Sequence, residues 1–565
     1  MNETRRSRRR VLASLPLPWV GLAFALTALV VYAPALRGAF FSDDLHYVVA
    51  NAYIQAWSVA NWLAIWDPTS PVAVIVENYA PVHLLLHSLA WHAFGPDVLG
   101  HHVVNVLLHA LAACLLVPVF TGAGVPRAAA IALATVFLVH PANVEAVAWI
   151  SQLKTPAAMV LMLLALHWQR RRPLLAWLGF CAALLAKPSA AVALPVAALW
   201  EWTQPSRRPS RWRWLAAWAL AFTLFSGAEF AAFFQTAGAG AAAHANPDMA
   251  VRLRGVLAAA ARYVVMALTG RGLSVFHEPA VPVSLFDPWW LAALLLFGLL
   301  GWRSAVLVRR RPRIDRDAAA ELGFWLWAVV SFAPTSGVIP LPFAMADRYL
   351  YFVLPGLLGG LWFVGREAAT RLALPGWLRT PRAAALLAAS CIALFGVQAN
   401  ARAALWRSDT ALLEDAARNY PDGRIARMRL AREAARAGDA DRAVRILRGL
   451  VDGGYDRLDQ LLADPAFRVL RGGAAFDGLV EDMARAMIAR IEARAAPAQH
   501  ELRVLAQAYL LVGERQQALA CYDRALSTGG PAGPEIRAER DALRRALRFE
   551  TERAKRQRLP PVQRR

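Results

Sequence analysis

The sequence has few cysteines and no phosphate-binding loop of the nucleotide-binding type. The four cysteines are scattered without a C-x-x-C spacing, and three lie in apolar runs: Cys114, Cys181, Cys391 and Cys521. This pattern gives no support to a disulfide framework or a zinc site. No G-x-x-x-x-G-K-S/T run is present, which argues against ATP as a substrate.

Acidic residues are also scarce relative to basic ones. There are 40 Asp and Glu against 62 Lys and Arg, giving a net charge of +22. A basic stripe interleaved with stacking aromatics, the mark of nucleic-acid binding, is missing, so we expect no nucleic acid as a partner. The excess instead fits the basic bias of cytoplasmic loops in membrane proteins together with a basic tail.

Apolar residues are abundant, at 58% of the chain with 21 Trp. Runs long enough to cross a bilayer recur between about residues 12 and 400. The stretch at about 11–36 exceeds the apolar core of a typical signal peptide, so it predicts a first transmembrane helix. Beyond residue 400 the chain is polar and rich in Arg. The sequence therefore predicts an all-α, polytopic membrane protein followed by a helical domain.

These patterns predict four parts. Residues 1–13 form a basic cytoplasmic N-terminus, 14–400 a membrane domain, 401–548 a helical repeat domain and 549–565 a basic tail. We predict about eleven transmembrane helices, near residues 14–36, 101–120, 127–140, 156–169, 174–187, 189–201, 213–235, 288–306, 322–340, 349–365 and 383–399. The tail is then external. Residues 252–270 carry three arginines and favour an interfacial or re-entrant helix.

With basic clusters inside, four polar segments share the external face. They are FSDDLHYVVAN (41–51) in a first external loop of about residues 37–100, HPANVEAVAWISQLK (140–154), AKPSA (186–190) and PLPFAMADRYLYF (340–352). Ionisable residues at the edge of a membrane domain are candidates for function. We therefore expect the four segments to line one cavity.

The residue types in these segments suit transfer from a lipid phosphate. Asp43 or Asp44 could take a proton from an attacking hydroxyl, with Glu145 as a third carboxylate. The cations Lys154, Lys187 and Arg348 could hold a phosphate leaving group. Histidines add donors and candidate ligands: His46, His83, His101, His102 and His140.

Each feature also has a structural alternative. The acid pair could be a solvated loop or a helix cap, the histidines could be packing residues, and Lys187 could merely extend to the interface. Two adjacent acids are also candidate ligands for Mg²⁺ or Mn²⁺. The expected metal is none, with Asp43 and Asp44 as the alternative.

Five motifs in order carry a family resemblance. They are F-S-D-D with Asn51, YAPVHLLLHSLAWHAFG followed by HHVVNVLLHALAACLL, HPANVEAVAWISQLK, LAKPSAAVALP and MADRYLYFVLPG. Together they resemble the transmembrane and tetratricopeptide repeat (TPR) O-mannosyltransferases and their bacterial relatives, which are glycosyltransferases of the GT-C class. The chain departs from the family pattern at Ala80, where relatives often have Arg, and at Asp347, where they have Glu.

The resemblance implies a GT-C-like fold for the membrane domain and a catalytic acid at Asp43 or Asp44. It also implies a polyprenyl-phosphate-linked sugar as donor, inversion at the anomeric carbon, and location in a bacterial inner membrane with the tail periplasmic. The matched motifs contain the supporting residues His46, His102, Asn105, His140 and Tyr349.

The tail shows helical-hairpin spacing. In residues 504–526 the packing positions of a TPR motif are Leu505, Ala506, Tyr509, Gly513, Ala518, Tyr522 and Ala525. In residues 428–450 the corresponding positions are Leu430, Ala431, Ala434, Gly438, Ala443, Leu447 and Leu450. We expect a TPR-like solenoid whose concave surface recruits an acceptor or partner.

Three functions stay open at this point. The first is an inverting transferase that moves a hexose, with mannose as a candidate, from a polyprenyl-phosphate donor to a hydroxyl, on a protein acceptor among others. The second is a lipid-linked transferase acting on cell-envelope polysaccharide or lipid. The third is a non-catalytic membrane scaffold displaying helical repeats, which would not need Asp43, Asp44, Glu145 or Arg348.

Overall fold

The computed structural model describes most of the chain. The described residues are 16–76, 78–204, 208–235, 248–310, 315–338, 341, 343–372, 375, 380–493, 497, 499–528 and 532–558. The predicted basic N-terminus, residues 1–13, and the end of the predicted basic tail lie outside them. The described residues form helices and turns with no strand, so the predicted all-α class is confirmed. They divide into two compact units, residues 1–420 and 421–565.

The first unit contains eighteen α-helices among its described residues. The first nine are α1 Leu17–Tyr32, α2 Ala52–Gln55, α3 Val59–Trp66, α4 Pro71–Val76, α5 Pro81–Phe94, α6 Val98–Gly122, α7 Arg127–Leu138, α8 Val144–Ala148 and α9 Lys154–Trp168. The second nine are α10 Pro173–Ala186, α11 Ala193–Trp202, α12 Pro209–Gln235, α13 Met249–Thr269, α14 Pro288–Arg309, α15 Arg316–Phe332, α16 Leu350–Arg371, α17 Pro381–Ala403 and α18 Asp409–Asn419.

Seven described helical stretches are long and apolar enough to cross a bilayer. They are Leu17–Ala35, Val98–Gly122, Ile150–Trp168, Pro288–Arg309, Arg316–Thr335, Asp347–Arg371 and Pro381–Arg407. Arg127–Leu138 and Pro141–Ala148 make an eighth if this bent pair is one span. The polytopic membrane architecture is thereby confirmed. The remaining predicted segments are helical too, in α10, α11 and α12, but their number as crossings stays a prediction.

The bent pair Arg127–Leu138 and Pro141–Ala148 contains a break in the helix. Its two helices meet at 49°, at the His140–Pro141 step. Proline has no backbone N–H and cannot continue the helical hydrogen bonding of α7. A short turn at Pro141–Asn143 therefore separates α7 from α8, and a second at Ile150–Leu153 separates α8 from α9. These breaks divide residues 140–153 into short, buried helical turns.

Helix α6 is the central support of this unit. It packs against α1, α7 and α9, and its buried face carries small and apolar residues such as Ala112, Ala113 and Leu116. Three polar residues, His102, Asn105 and His109, lie on the same buried side. Because all three hydrogen-bond to other segments, α6 holds the loops in register as well as the core.

The second unit consists of seven described helices. They are α19 Arg424–Arg436, α20 Ala440–Asp452, α21 Leu458–Ala463, α22 Ala474–Glu492, α23 Gln499–Leu511, α24 Arg515–Thr528 and α25 Gly533–Arg558. Successive helices pack in pairs, α19 on α20 and α23 on α24. Gly438 and Gly513 occupy the turns of these pairs with positive φ, 80° and 85°.

The predicted packing positions are largely confirmed. The six non-glycine positions in residues 504–526 are all buried. In residues 428–450 the exception is Leu430, which is 37% exposed, so its assignment to the core was wrong. Leu430 precedes the buried Ala431 in the sequence. Because neighbouring helical residues point in different directions, its side chain faces away from the apolar side of α20. The TPR-like solenoid itself stays a prediction.

Candidate functional site

The four predicted polar segments of the first unit contact one another. Asp44 joins the first segment to the second, and Arg348 joins the fourth to the second. Lys187 of the third segment bonds to Thr155, the residue that follows the second. Residues 140–155 are thus the common partner of the other three.

Asp44 is locked into the backbone. It is 1% exposed, and its two oxygens accept hydrogen bonds from the backbone N–H of Phe41 at 3.0 Å and of Ser151 at 2.7 Å. Burial raises the pKa of this carboxyl to about 7, although the two backbone donors act in the opposite direction. Asp44 therefore fixes the first loop against the segment before α9.

Asp43 has a different environment although it is the next residue. Its side chain is partly exposed, and its hydrogen bond in the described structure is a long one, 3.3 Å from the Ser42 hydroxyl. Its charge interacts with that of Arg348. Among the described residues, Ser42 is the one non-glycine residue with positive φ, at 50°. Such backbone strain at a loop is often associated with a functional residue.

Glu145 holds Arg348 at two points. Its Oε2 accepts from the Arg348 backbone N–H at 2.8 Å, and its Oε1 pairs with the Arg348 guanidinium. Glu145 is 2% exposed. With both oxygens engaged on one residue, it orients Arg348.

Aromatic rings surround the Arg348 guanidinium. Its carbon lies 5.4, 5.3 and 5.2 Å from the ring centres of Trp149, Phe343 and Tyr349. Trp149 is itself held by a hydrogen bond from its indole N–H to the Phe41 carbonyl at 3.2 Å. Cation–π contacts of this kind favour a fixed, charged guanidinium.

Two lysines complete the set of cations. Lys187 donates from Nζ to Thr155 Oγ1 at 2.7 Å, and Thr155 donates to Gln152 Oε1 at 2.9 Å. Burial, reinforced by the charges of Lys154 and Arg348, lowers the pKa of Lys187 well below its usual value. Lys154 Nζ lies 5.1 Å from the Tyr47 ring centre. An anion between these groups would relieve their mutual repulsion.

The predicted supporting residues have separate positions. His102 bonds to the Gly38 carbonyl at 3.1 Å, and Asn105 donates to the Trp149 carbonyl at 3.0 Å. His140 is buried between the Ala267 carbonyl and its own turn. Tyr349 donates to the Phe343 carbonyl at 3.3 Å, while His46 is exposed against Tyr47.

One buried cluster was missed by sequence reasoning. Asp347 accepts from His277 Nε2 at 2.7 Å and from Arg402 at 3.0 Å. His277 Nδ1 in turn lies 2.9 Å from the Tyr420 hydroxyl. Asp347 stands beside Arg348 in MADRYLYF, which was the available signal. The cluster anchors the segment that carries Arg348.

The carboxylates do not assemble a multi-ligand metal centre in the described part of the chain, where no group of three His, Cys, Asp or Glu is suitably placed. Both Asp44 oxygens already accept backbone N–H groups. A cation bridging Asp43 and Asp44 would have to share the Asp44 oxygens with these backbone N–H groups.

No family model matches the chain. Curated relatives do. Protein O-mannosyl-transferase Tmtc1 of Drosophila melanogaster is 32% identical over 192 residues, or 32% of this chain and 22% of the relative. Human TMTC4 is 30% identical over 187 residues, 30% of this chain and 24% of the relative. The chain is related to the TMTC protein O-mannosyl-transferases.

A further TMTC relative, Drosophila Tmtc2, is 29% identical over 194 residues, or 31% of this chain and 20% of its own length. The predicted family resemblance is thereby confirmed. The aligned residues span between a fifth and a quarter of these three TMTC proteins.

Proposed function

We propose that this TMTC relative is a membrane glycosyltransferase acting on protein. It would move a hexose, with mannose the first candidate, from a polyprenyl-phosphate-linked donor to an acceptor hydroxyl, with inversion. The observation that carries this proposal is that Arg348 interacts with the charge of Asp43 on one side and with that of Lys187, itself beside Lys154, on the other. A carboxylate base opposite a cationic phosphate site is what such a displacement requires.

Asp43 is the proposed base. Asp44 is buried with both oxygens bonded to backbone N–H groups, whereas the Asp43 carboxylate is partly exposed and near Arg348. In the proposed step, the acceptor hydroxyl oxygen forms a bond to the anomeric carbon while Asp43 takes the hydroxyl proton. The bond from that carbon to the phosphate oxygen breaks, and the phosphate leaves with the electron pair. One in-line displacement inverts the carbon.

The cations have the complementary role. Arg348, Lys154 and Lys187 would bind the donor phosphate and stabilise the negative charge that grows on it as the bond breaks. Glu145 was predicted to be a catalytic acid. Because both of its oxygens are occupied by Arg348, we propose that it is a positioning residue.

An apolar groove supports a lipid-linked donor. Its volume is about 330 Å³, and it runs between α13, α14, α15 and α16, with Tyr263, Trp302, Phe332 and Leu350 among its lining residues. Tyr263 bonds to the backbone of Ala346, two residues before Arg348. This contact links the groove lining to the segment that carries Arg348, and we propose that an isoprenoid chain attached to the bound phosphate enters there.

The remaining expectations follow from the same proposal. The protein would lie in a bacterial inner membrane with its N-terminus cytoplasmic. The site and the second unit would be on the periplasmic side, where the TPR-like helices recruit the acceptor. The alternative acceptor is a cell-envelope polysaccharide or lipid.

The test is mass spectrometry of envelope proteins and glycans from a host lacking the gene. The deletion strain is complemented with wild type, Asp43→Asn, Asp44→Asn or Asp67→Asn at matched expression. Asp67 is the control, since it is an exposed acid of the first loop that bonds within its own turn to Thr69.

We expect a hexose-sized mass on protein to disappear on deletion and to return with wild type and Asp67→Asn. Asp43→Asn should restore about 10²- to 10⁴-fold less activity, the usual loss of a general base. If the mass appears on a glycan or lipid, the acceptor proposal is wrong. If Asp43→Asn restores everything and Asp44→Asn does not, Asp44 is the base instead. If both variants restore everything, the scaffold function replaces the enzymatic one.

A further inference from the structure

Helix α5 carries a buried pair of histidines that the proposed step does not use. His83 and His87 are one helical turn apart and both are 0% exposed. Their ring centres are 4.5 Å apart, with the planes inclined at 66°. Residues at i and i+4 share one helix face, so the two rings form a single polar surface inside the first unit.

The nitrogens of this surface are poorly satisfied within the described part of the protein. None of the four ring nitrogens makes a hydrogen bond of normal geometry among the described residues, although the backbone of Ser151 lies beside His83. A polar group that is buried without a hydrogen-bond partner destabilises the fold. Two buried imidazoles that are so poorly satisfied therefore indicate an occupant that is not part of the protein.

The surroundings indicate what that occupant is. The His83 ring contacts Tyr47 at 5.9 Å between centres, and Lys154 lies over the same Tyr47 ring. The charges of Lys154 and Lys187 both act on His83. The pair thus lies near the two lysines of the proposed phosphate site.

Burial favours the neutral form of both imidazoles. Burial lowers the pKa of His87 to about 3, reinforced by the charges of His101 and Lys154. Burial likewise lowers the pKa of His83 well below its usual value. A neutral imidazole still donates one N–H, and it does so without adding a positive charge beside Lys154 and Lys187.

We propose that His83 and His87 are phosphate-binding residues that donate N–H hydrogen bonds to the non-bridging oxygens of the donor phosphate. The inference rests on the proposed function and deepens it, because it assigns two substrate contacts outside the cationic set. The lysines supply charge, and the histidines supply directional donors that fix the orientation of the leaving group.

The test measures binding rather than turnover. The full chain in lipid nanodiscs is titrated with farnesyl phosphate and with farnesol, which has the same tail without the phosphate. The ratio of the two dissociation constants reports phosphate recognition alone. We expect wild type to prefer farnesyl phosphate, and each of His83→Leu and His87→Leu to reduce the preference about tenfold, as for a hydrogen bond to a charged group. Farnesol binding should not change.

His92→Leu is the matched control. His92 lies on the same helix but is exposed, and its Nδ1 already bonds to the Ser88 carbonyl, so the preference should remain. His83→Gln and His87→Gln keep a donor and should retain most of it. If the Leu variants do not fold, as judged by thermal unfolding, Phe variants keep the ring volume and remove the nitrogens.

The outcomes separate the two proposals. If wild type does not distinguish farnesyl phosphate from farnesol, the lipid-phosphate donor itself is wrong. If wild type distinguishes them and the variants lacking ring nitrogens do so equally, the pair does not bind phosphate and the inference is overturned. In that case the pair is a packing feature satisfied by buried water.

Discussion

The two units of the chain differ in how deeply their charged side chains are buried. In residues 1–420, Asp44, Glu145 and Asp347 are each at most 2% exposed and are held by hydrogen bonds from distant segments. In residues 421–565, ion pairs such as Arg448–Asp482 and Arg485–Glu481 are about half exposed. A buried charge is fixed by its neighbours, whereas a solvated one is nearly independent of them.

Backbone strain shows the same contrast. In the second unit the described residues with positive φ are glycines, Gly438, Gly454, Gly472 and Gly513. In the first unit, Ser42 adopts positive φ immediately before the Asp43–Asp44 pair. Among described residues with positive φ, the second unit has only glycines, whereas the first unit also has a serine, next to its candidate site.

The largest expected difference concerns one buried and one exposed carboxylate. Glu145→Gln leaves the Arg348 guanidinium without its charged partner, so the free energy of unfolding should fall by about 3–5 kcal/mol. Glu481→Gln removes an exposed pair with Arg485 one helical turn away and should cost about 0.3–0.5 kcal/mol. Denaturant unfolding of the full chain in bicelles measures both. A loss below about 1 kcal/mol for Glu145→Gln would remove the distinction between the units.

The second prediction concerns pH. The pKa of Asp44 is raised from 3.8 to about 7 in the folded protein, so the folded state binds this proton more tightly than the unfolded state. That stabilisation is complete below the unfolded pKa and is lost as pH rises through about 7. The loss amounts to about 4 kcal/mol, since one pKa unit corresponds to about 1.4 kcal/mol.

Asp44→Asn should abolish this component, so the variant gains stability relative to wild type between pH 4 and pH 8. Glu539 in the second unit should change the stability with pH in the opposite direction. Although burial raises its pKa, hydrogen bonds from Arg503 lower it overall, so its contribution is lost as pH falls. Parallel pH profiles for wild type and Asp44→Asn would contradict the assignment of a raised pKa.

Third in size is a pair of glycine substitutions. A Cβ on Gly38 would lie 2.1 Å from the Trp406 carbonyl oxygen, whereas a Cβ on Gly478 in α22 meets nothing within 4 Å. Gly38→Ala should therefore cost about 1–3 kcal/mol, and Gly478→Ala should stabilise by up to about 1 kcal/mol. Thermal unfolding of the two variants compares them. Equal effects would mean that the loop relaxes without cost.

The smallest effect on stability is expected at Ser42, which we compare with Gly513 of the second unit because both have positive φ. Gly513→Ala, at a φ of 85°, should cost about 1 kcal/mol. Ser42→Gly relieves a similar strain but adds unfolded-state entropy, so the unfolding free energy should change by less than about 0.5 kcal/mol. Transfer activity should nevertheless fall, because the Asp43 carboxylate loses its fixed position. Unchanged activity would show that the strain has no part in positioning Asp43.

Sequence reasoning identified the four segments that meet, but not the roles within them. FSDDLHYVVAN presents Asp43 and Asp44 as equals, yet Asp44 bonds to Ser151, 107 positions away. Glu145 was predicted to be a third catalytic acid, yet it hydrogen-bonds to Arg348, 203 positions away. No local pattern specifies such long-range partners.

The sequence by itself determined the membrane helices and the helix pairs of the second unit, because apolar length and the spacing of small residues are local properties that act on each segment separately. Only the tertiary structure decided which carboxylate stays exposed, which cations adjoin it and which histidines are left without partners. Those outcomes depend on burial, and burial is set by what the rest of the folded chain brings alongside each residue.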